Sequence, residues 1–165
     1  MKKLFTLIAA VMISGMAMAQ KELAFPFQGG QQVMTDFFKN NFTPSADIKQ
    51  QNAAGTVILK FTADQKGVIK KVIVYYADDF ALAQPAADLL KKTDHKWIVP
   101  DGEKLHDFIL PFTISFNAPA NAEAAVAKAF LAYYNKRSPV LTHNQIPLDT
   151  ATLLPTITLR YDVGQ

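Results

Sequence analysis

The sequence predicts an α+β protein, with helices alternating with the strands of a mostly antiparallel sheet. Apolar residues recur at three- and four-residue spacing in three segments and at two-residue spacing in four others, the periods of helices and strands. The 165 residues, half of them apolar, are enough to bury one core. With 19% charged residues and no cysteine, the composition excludes a disordered chain, disulfides and thiolate metal sites.

Residues 1–19 have the pattern of a signal peptide. Lys2 and Lys3 precede the apolar run Leu4–Ile13, and Ala17–Ala19 has the small-x-small form that signal peptidase recognises. An uncleaved anchor is the alternative, but the run is shorter than the roughly 20 apolar residues that span a bilayer. We therefore expect cleavage before Gln20 and a periplasmic or secreted protein without an integral membrane segment.

The charge of the mature chain is nearly balanced. The net charge of +3 includes Lys2 and Lys3, and their removal would leave 15 basic against 14 acidic residues. Proteins that bind phosphate backbones carry a clear positive excess. No nucleic-acid partner is expected.

A helix and a β-hairpin are predicted first. One helical stripe predicts a helix at about 30–40, which Pro44 ends; the stripe consists of Val33, Met34, Phe37 and Phe38. The runs Thr56–Thr62 and Val68–Tyr76 are rich in β-formers, and a short loop ending at Gly67 joins them. These two strands should pair antiparallel.

A second helix and a third strand complete the region 20–117. The helix is expected from Asp79 to Lys92 or, with Pro85 in its first turn, from about Gln84. Its apolar stripe comprises Phe80, Ala83, Ala87 and Leu90. Trp97 in the following loop is interpreted as a core residue under the sheet. Strict alternation then predicts a strand at Phe108–Phe116.

The region 118–165 is predicted to add a helix and a strand to the same domain. The helix covers Asn121–Asn135, and the loop Lys136–Ala151 leads to a strand at Leu153–Asp162. One face of this strand is apolar and comprises Ile157, Leu159 and Tyr161. For the core as a whole, strand parity places four residues inside: Phe61, Val72, Phe112 and Ile114.

The order of several short motifs resembles the TonB C-terminal domain family, in the form common in Bacteroidetes. The resemblance covers roughly residues 25–117 and rests on Phe27-Gln28-Gly29-Gly30, Gly55-Thr56-Val57, Gly67-Val68, Trp97 with Pro100, and Leu110-Pro111-Phe112. It implies a helix, a hairpin, a second helix and a third strand. It also implies recognition of an extended segment of an outer-membrane receptor by strand addition.

This resemblance implies a partner-binding edge on the third strand. The residues of that edge are Phe108, Ile109, Leu110, Phe112, Thr113, Ile114, Ser115 and Phe116. If Leu153–Tyr161 pairs with the third strand, it occupies this same edge. A complete force-transmitting TonB is not expected, because the family's anchor and long Pro-rich spacer have no counterpart in this sequence.

No catalytic or metal-binding pattern is found among the titratable residues. His95, His106 and His143 fall in predicted polar loops, without the spacing of a metal motif. The remaining serines have no nucleophile-elbow context: Ser45, Ser115 and Ser138. Asp78 and Asp79 are interpreted as helix caps rather than a metal pair. We therefore predict no enzyme, no cofactor and no metal.

The predicted function is that of an exported, non-enzymatic protein-binding module associated with outer-membrane transport. Its partner is expected to be an extended peptide of an outer-membrane or periplasmic protein, and a homodimer is a further option. Two alternatives remain open. One is a small exported enzyme or ligand carrier with a pocket between the sheet and the third helix, and the other is a self-capped structural domain without a peptide partner.

Overall fold

The computed structural model describes residues 24–117, 123–142 and 150–163. The described elements are α1 (Gly30–Asn41), α2 (Ala46–Gln51), β1 (Gly55–Asp64), β2 (Ile69–Ala77), α3 (Phe80–Lys91), β3 (Leu105–Asn117), α4 (Glu123–Lys136), β4 (Val140–Leu141), β5 (Thr152–Leu153) and β6 (Ile157–Asp162). This confirms the predicted α+β class. The predicted signal peptide lies outside the described residues.

The six strands form one sheet in the order β4-β2-β1-β3-β5, with β6 also on β3. β1 pairs antiparallel with β2 and with β3, which confirms the predicted hairpin. β5 and β6 pair with β3 in the parallel direction. Since β1 already occupies one side of β3, these last two strands lie on its other side, and the sheet is mixed.

The core lies between the sheet and the helices. Phe61, Phe112 and Ile114 are buried as predicted, whereas Val72 is half-buried because β2 lies near the rim of the sheet. Trp97 is buried and lies 4.5 Å from Phe61 between ring centroids, so its interpretation as a core residue is confirmed. Its indole N–H donates to the hydroxyl of Thr93 over 2.9 Å, which satisfies its only polar atom.

Helix α3 begins after Asp79, so the alternative start near Gln84 is wrong. The Asp79 carboxylate accepts a hydrogen bond from the Ala81 N–H at 2.7 Å, and Pro85 lies inside the helix. One face of α3, centred on Leu82 and Ala86, is buried against the core, and this burial offsets the cost of the proline. That orientation turns Phe80 to solvent, where it is 68% exposed, although its spacing placed it in the apolar stripe.

Three local features differ from the sequence prediction. Strand β4 lies within the segment Lys136–Ala151 that was predicted as a loop, because Val140 and Leu141 pair with the end of β2. The short helix α2 was not predicted, and the Ser45 hydroxyl caps it by accepting from the Ile48 N–H at 3.3 Å. The predicted strand Leu153–Asp162 is divided into β5 and β6, with Pro155 in the break. Proline has no N–H to donate to a ladder, which explains the interruption. The predicted buried face of Ile157, Leu159 and Tyr161 is confirmed.

Candidate functional site at the edges of the sheet

The predicted partner-binding edge lies inside the sheet. β3 pairs with β1 along one side, and with β5 and β6 along the other. Four of the predicted edge residues point into the core: Phe108, Leu110, Phe112 and Ile114. Three lie half-buried on the opposite face: Ile109, Thr113 and Ser115. Phe116 packs against Tyr161 and against Phe130 of α4. An extended partner reaches this edge only by displacing β5 or β6, and β6 covers the larger part of it.

Displacement of β6 is costly. Ile157, Leu159 and Tyr161 are all buried, and each contributes about 1.5–3 kcal/mol by its burial. The Tyr161 hydroxyl also lies within hydrogen-bond distance of two carbonyl oxygens, those of Ile48 and Ala53. A cost of roughly 5 kcal/mol or more lowers the apparent affinity of a competing strand at least about a thousandfold.

The edge of β2 is covered at both ends and open between them. β4 pairs with it only at Tyr76 and Ala77, and the Thr142 N–H donates to the Tyr75 carbonyl at 3.2 Å. At the other end the Asp94 carboxylate accepts from the Ile69 N–H at 2.7 Å. Between these limits no strand of the described ranges pairs with the outer side of residues 70–74, here called the open segment.

A groove of about 350 Å³ runs beside the open segment. Ile69 and Val72 form its apolar part and pack against the core. Its remaining lining residues are charged: Lys70, Lys71, Lys91 and Asp94. Since Lys91 ends α3, the groove lies between the free edge of a strand and the end of a helix.

The residues that line the groove include three lysines and one carboxylate, and the lysines differ in their partners. Lys70 lies 2.8 Å from the Asp64 carboxylate, and the hydrogen bond it donates lowers the pKa of Asp64 to about 2. Lys91 lies 3.0 Å from Asp88 in an exposed pair. Lys71 is exposed and has no ion-pair partner among the residues that the structure describes. Of the three lysines that line the groove, Lys71 is therefore the most available to a ligand.

Asp78 and Asp79 are structural acceptors. Asp79 caps α3, which confirms its predicted role, and its second oxygen accepts from the Ser138 N–H at 2.8 Å. Asp78 instead accepts from the Thr56 N–H and the Tyr76 hydroxyl, both at 2.6 Å. This hydrogen bond raises the pKa of Tyr76. The two carboxylates thus hold the hairpin, α3 and the segment after α4 together.

Only one of the described histidines lies where the sequence placed it. His95 is exposed in a loop beside Asp94, as expected. His106 was expected in a polar loop, but it lies in β3 with a buried ring, because β3 begins earlier than the alternating pattern indicated. Its nitrogens lie 2.7 Å from the Glu103 carboxylate and 2.7 Å from the Thr152 hydroxyl, which fastens β5. His143 lies outside the described residues.

The other serines, and a second cleft, show no catalytic grouping. Ser45 caps α2, and the Ser115 hydroxyl lies 3.4 Å from the Leu159 carbonyl. A cleft of about 640 Å³ is lined by residues of α2, of α3 and of the end of α4, and by no residue of a strand. Asp79, on its wall, already accepts two hydrogen bonds.

Neither a metal cluster nor a membrane-spanning helix occurs in the described ranges. The carboxylates and histidines there form no group of three that could hold a metal ion. No helix there is long and apolar enough to cross a bilayer. No protein-family model, curated protein or solved structure matches this chain.

Proposed function

We propose that this chain is an exported, non-enzymatic protein-binding domain that recognises an extended segment of a periplasmic or outer-membrane protein by strand addition. The observation that carries the proposal is the open segment of β2, whose outer side pairs with no strand of the described chain. A strand edge of this kind offers unpaired N–H and C=O groups that an extended peptide satisfies. The resemblance to TonB C-terminal domains supports the same mode of recognition.

The proposal favours β2 over β3 as the recognition edge. The family resemblance implies residues Phe108–Phe116 of β3, and binding there requires removal of the buried strand β6. Binding at β2 requires no rearrangement of the described chain. The cost of roughly 5 kcal/mol at β3 favours β2 as the edge for a partner of ordinary affinity.

Export is tested by the mass of the mature protein. Expression of the full chain in a bacterial host should yield a periplasmic protein whose first residue is Gln20. An Ala19→Arg variant blocks the small-residue cleavage site and serves as the matched control. Recovery of the unaltered chain in the inner membrane with Met1 or Lys2 still attached contradicts export by cleavage.

Peptide recognition is tested by NMR titration of the mature chain, residues 20–165. A panel of β-prone octapeptides should cause saturable backbone amide shifts concentrated in β2. The control peptides carry proline at alternate positions, which removes the N–H groups that strand addition needs. If no peptide causes saturable shifts in any strand, strand addition is not the function.

A self-capped structural domain is the second candidate, and the pairing of β5 and β6 with β3 favours it. This candidate predicts that neither β2 nor β3 accepts a peptide. The same titration therefore separates it from the proposal. Shifts in β3 and β6 without shifts in β2 instead indicate recognition by displacement of β6.

A further inference from the structure

We infer that the groove beside the open segment of β2 binds an acidic extended segment of a partner protein. The inference rests on the proposed function and deepens it, because it assigns the site and the side-chain chemistry of the partner. Its physical basis is the combination of a free strand edge, an apolar floor and a rim that carries more lysines than carboxylates.

The length of the bound segment is set by the two hydrogen bonds that limit the open segment. Asp94 holds the Ile69 N–H, and the Thr142 N–H holds the Tyr75 carbonyl. A strand rises about 3.3 Å per residue, so the open segment 70–74 is roughly 17 Å long. A partner therefore contributes about five residues to the new pair, and a longer strand has to bend away at either end.

The floor and the rim of the groove specify alternating side chains. Ile69 and Val72 are half-buried and continuous with the core, so they favour apolar side chains on the inward face of an added strand. Lys71 lies on the rim without an ion-pair partner among the described residues, and Lys91 lies across the groove. Lys71 pairs with Thr62 of β1 and therefore lies on the opposite face of the sheet from Val72, which pairs with Phe61. Asp or Glu at the alternate positions of the partner lies on the face of Lys71 and complements it.

The charges favour an acidic partner over a second copy of this chain. Pairing of two open segments would bring Lys70 and Lys71 of one copy to the same edge as those of the other. Like charges close to each other across a strand pair are destabilising. Lysines on an edge strand also protect against aggregation. If that were their only role, replacing Lys71 would promote self-association or tighter binding of every peptide.

The inference is tested with the mature chain, residues 20–165, and three fluorescein-labelled octapeptides of alternating sequence. They alternate valine with glutamate, glutamine or lysine. We expect the glutamate peptide to bind about tenfold more tightly than the glutamine peptide at low salt and to lose most of that advantage at 1 M salt, since the pairs are exposed. The lysine peptide should bind most weakly.

Substitutions assign the effect to the groove. Lys71→Gln should weaken binding of the glutamate peptide roughly two- to fivefold and leave the affinity for the glutamine peptide unchanged. Lys91→Gln should act in the same direction. Lys49→Gln alters an exposed lysine on α2 and serves as the matched control, with no expected change. Because all three side chains are exposed, the variants should keep the circular dichroism spectrum of the parent.

Five outcomes overturn the inference. Equal affinity for the glutamate and glutamine peptides, or amide shifts outside β2, contradict an acidic groove but leave strand addition intact. Tighter binding of every peptide by Lys71→Gln, or dimers of that variant in sedimentation, show that the lysines only protect the edge. If no peptide of either panel binds the parent chain, both the inference and the proposed function fail.

Discussion

The hydroxyl of Tyr161 in β6 lies 2.9 Å from the carbonyl oxygen of Ala53, just beyond the end of α2. The same hydroxyl lies 3.2 Å from the Ile48 carbonyl. This contact joins the last strand to a part of the chain 108 residues earlier. It therefore fixes β6 in the place that keeps the edge of β3 covered. Burial raises the pKa of Tyr161 well above its usual range, because the neutral phenol is favoured in this position.

Tyr161→Phe should lower the stability of the folded chain and change its dependence on pH. Loss of the hydrogen bond should cost about 1 kcal/mol at pH 7. The folded pKa is raised above the unfolded value near 10, so the contribution of this phenol is complete below pH 10 and is lost as the pH rises further.

Urea unfolding measured from pH 7 to pH 11 checks this prediction. Between pH 9 and pH 11 the parent should lose about 1 kcal/mol more than Tyr161→Phe. Tyr133 is retained in both proteins, and burial is the main cause that raises its pKa as well, so most of its contribution cancels in the comparison. Parallel pH profiles of the two proteins would contradict the role assigned to the Tyr161 hydroxyl.

Gly67→Ala should destabilise the hairpin turn more than Gly102→Ala does. Both glycines have positive φ, so alanine is strained by about 1–2 kcal/mol at either position. At Gly67 an added Cβ would also lie 2.7 Å from the Trp97 carbonyl oxygen, whereas nothing lies within 4 Å at Gly102. A total loss of at least about 3 kcal/mol is expected for Gly67→Ala. Equal midpoints in urea for the two variants would refute the close packing at Gly67.

Phe112→Ala should cost about 3–5 kcal/mol, because Phe112 is 0% exposed and its ring lies 5.3 Å from that of Phe38. Val72→Ala removes a smaller, half-buried side chain and should cost about 1 kcal/mol. Chemical denaturation of both variants measures the difference. A loss below about 1 kcal/mol for Phe112→Ala is incompatible with its place in the core.

Pro85→Ala should stabilise the chain. The substitution restores an N–H that can donate to the carbonyl of Ala81 within α3. Proline also restricts the unfolded chain, and losing this restriction reduces the gain in the free energy of unfolding to about 1–3 kcal/mol. Pro100→Ala, in a loop, serves as the control and should give no gain. Thermal unfolding compares the two, and a lower melting temperature for Pro85→Ala would show that the proline ring contributes more by packing than it costs.

Deletion of residues 118–165 should expose the edge of β3 and the core beneath β6. The loss of Ile157 and Leu159 leaves buried apolar surface open, so the shortened chain should self-associate edge to edge. Analytical ultracentrifugation of both chains checks this. A shortened chain that stays monomeric and keeps the parent's unfolding midpoint would mean that β6 contributes little to the domain.

Most helices and strands of this protein are predictable from local sequence patterns, although α2 and β4 were not predicted. The alternation around Phe61 and around Phe112 placed both side chains in the core, because a strand with one buried face must repeat every second residue. The burial of Trp97 and the antiparallel hairpin followed from equally local signals. Such signals report which side of an element is buried, and this is a property of neighbouring residues along the chain.

Which edges of the sheet remain open depends on contacts between distant segments of the chain. The parallel pairing of β6 with β3, the burial of His106 and the cap that Asp94 places on Ile69 all join residues far apart in the sequence. The period of a strand is the same whether its neighbour is parallel, antiparallel or missing. The sequence therefore predicted the candidate site on β3, whereas the open edge of the structure lies on β2. Strand pairing depends on how distant segments pack together and not on the pattern within either strand.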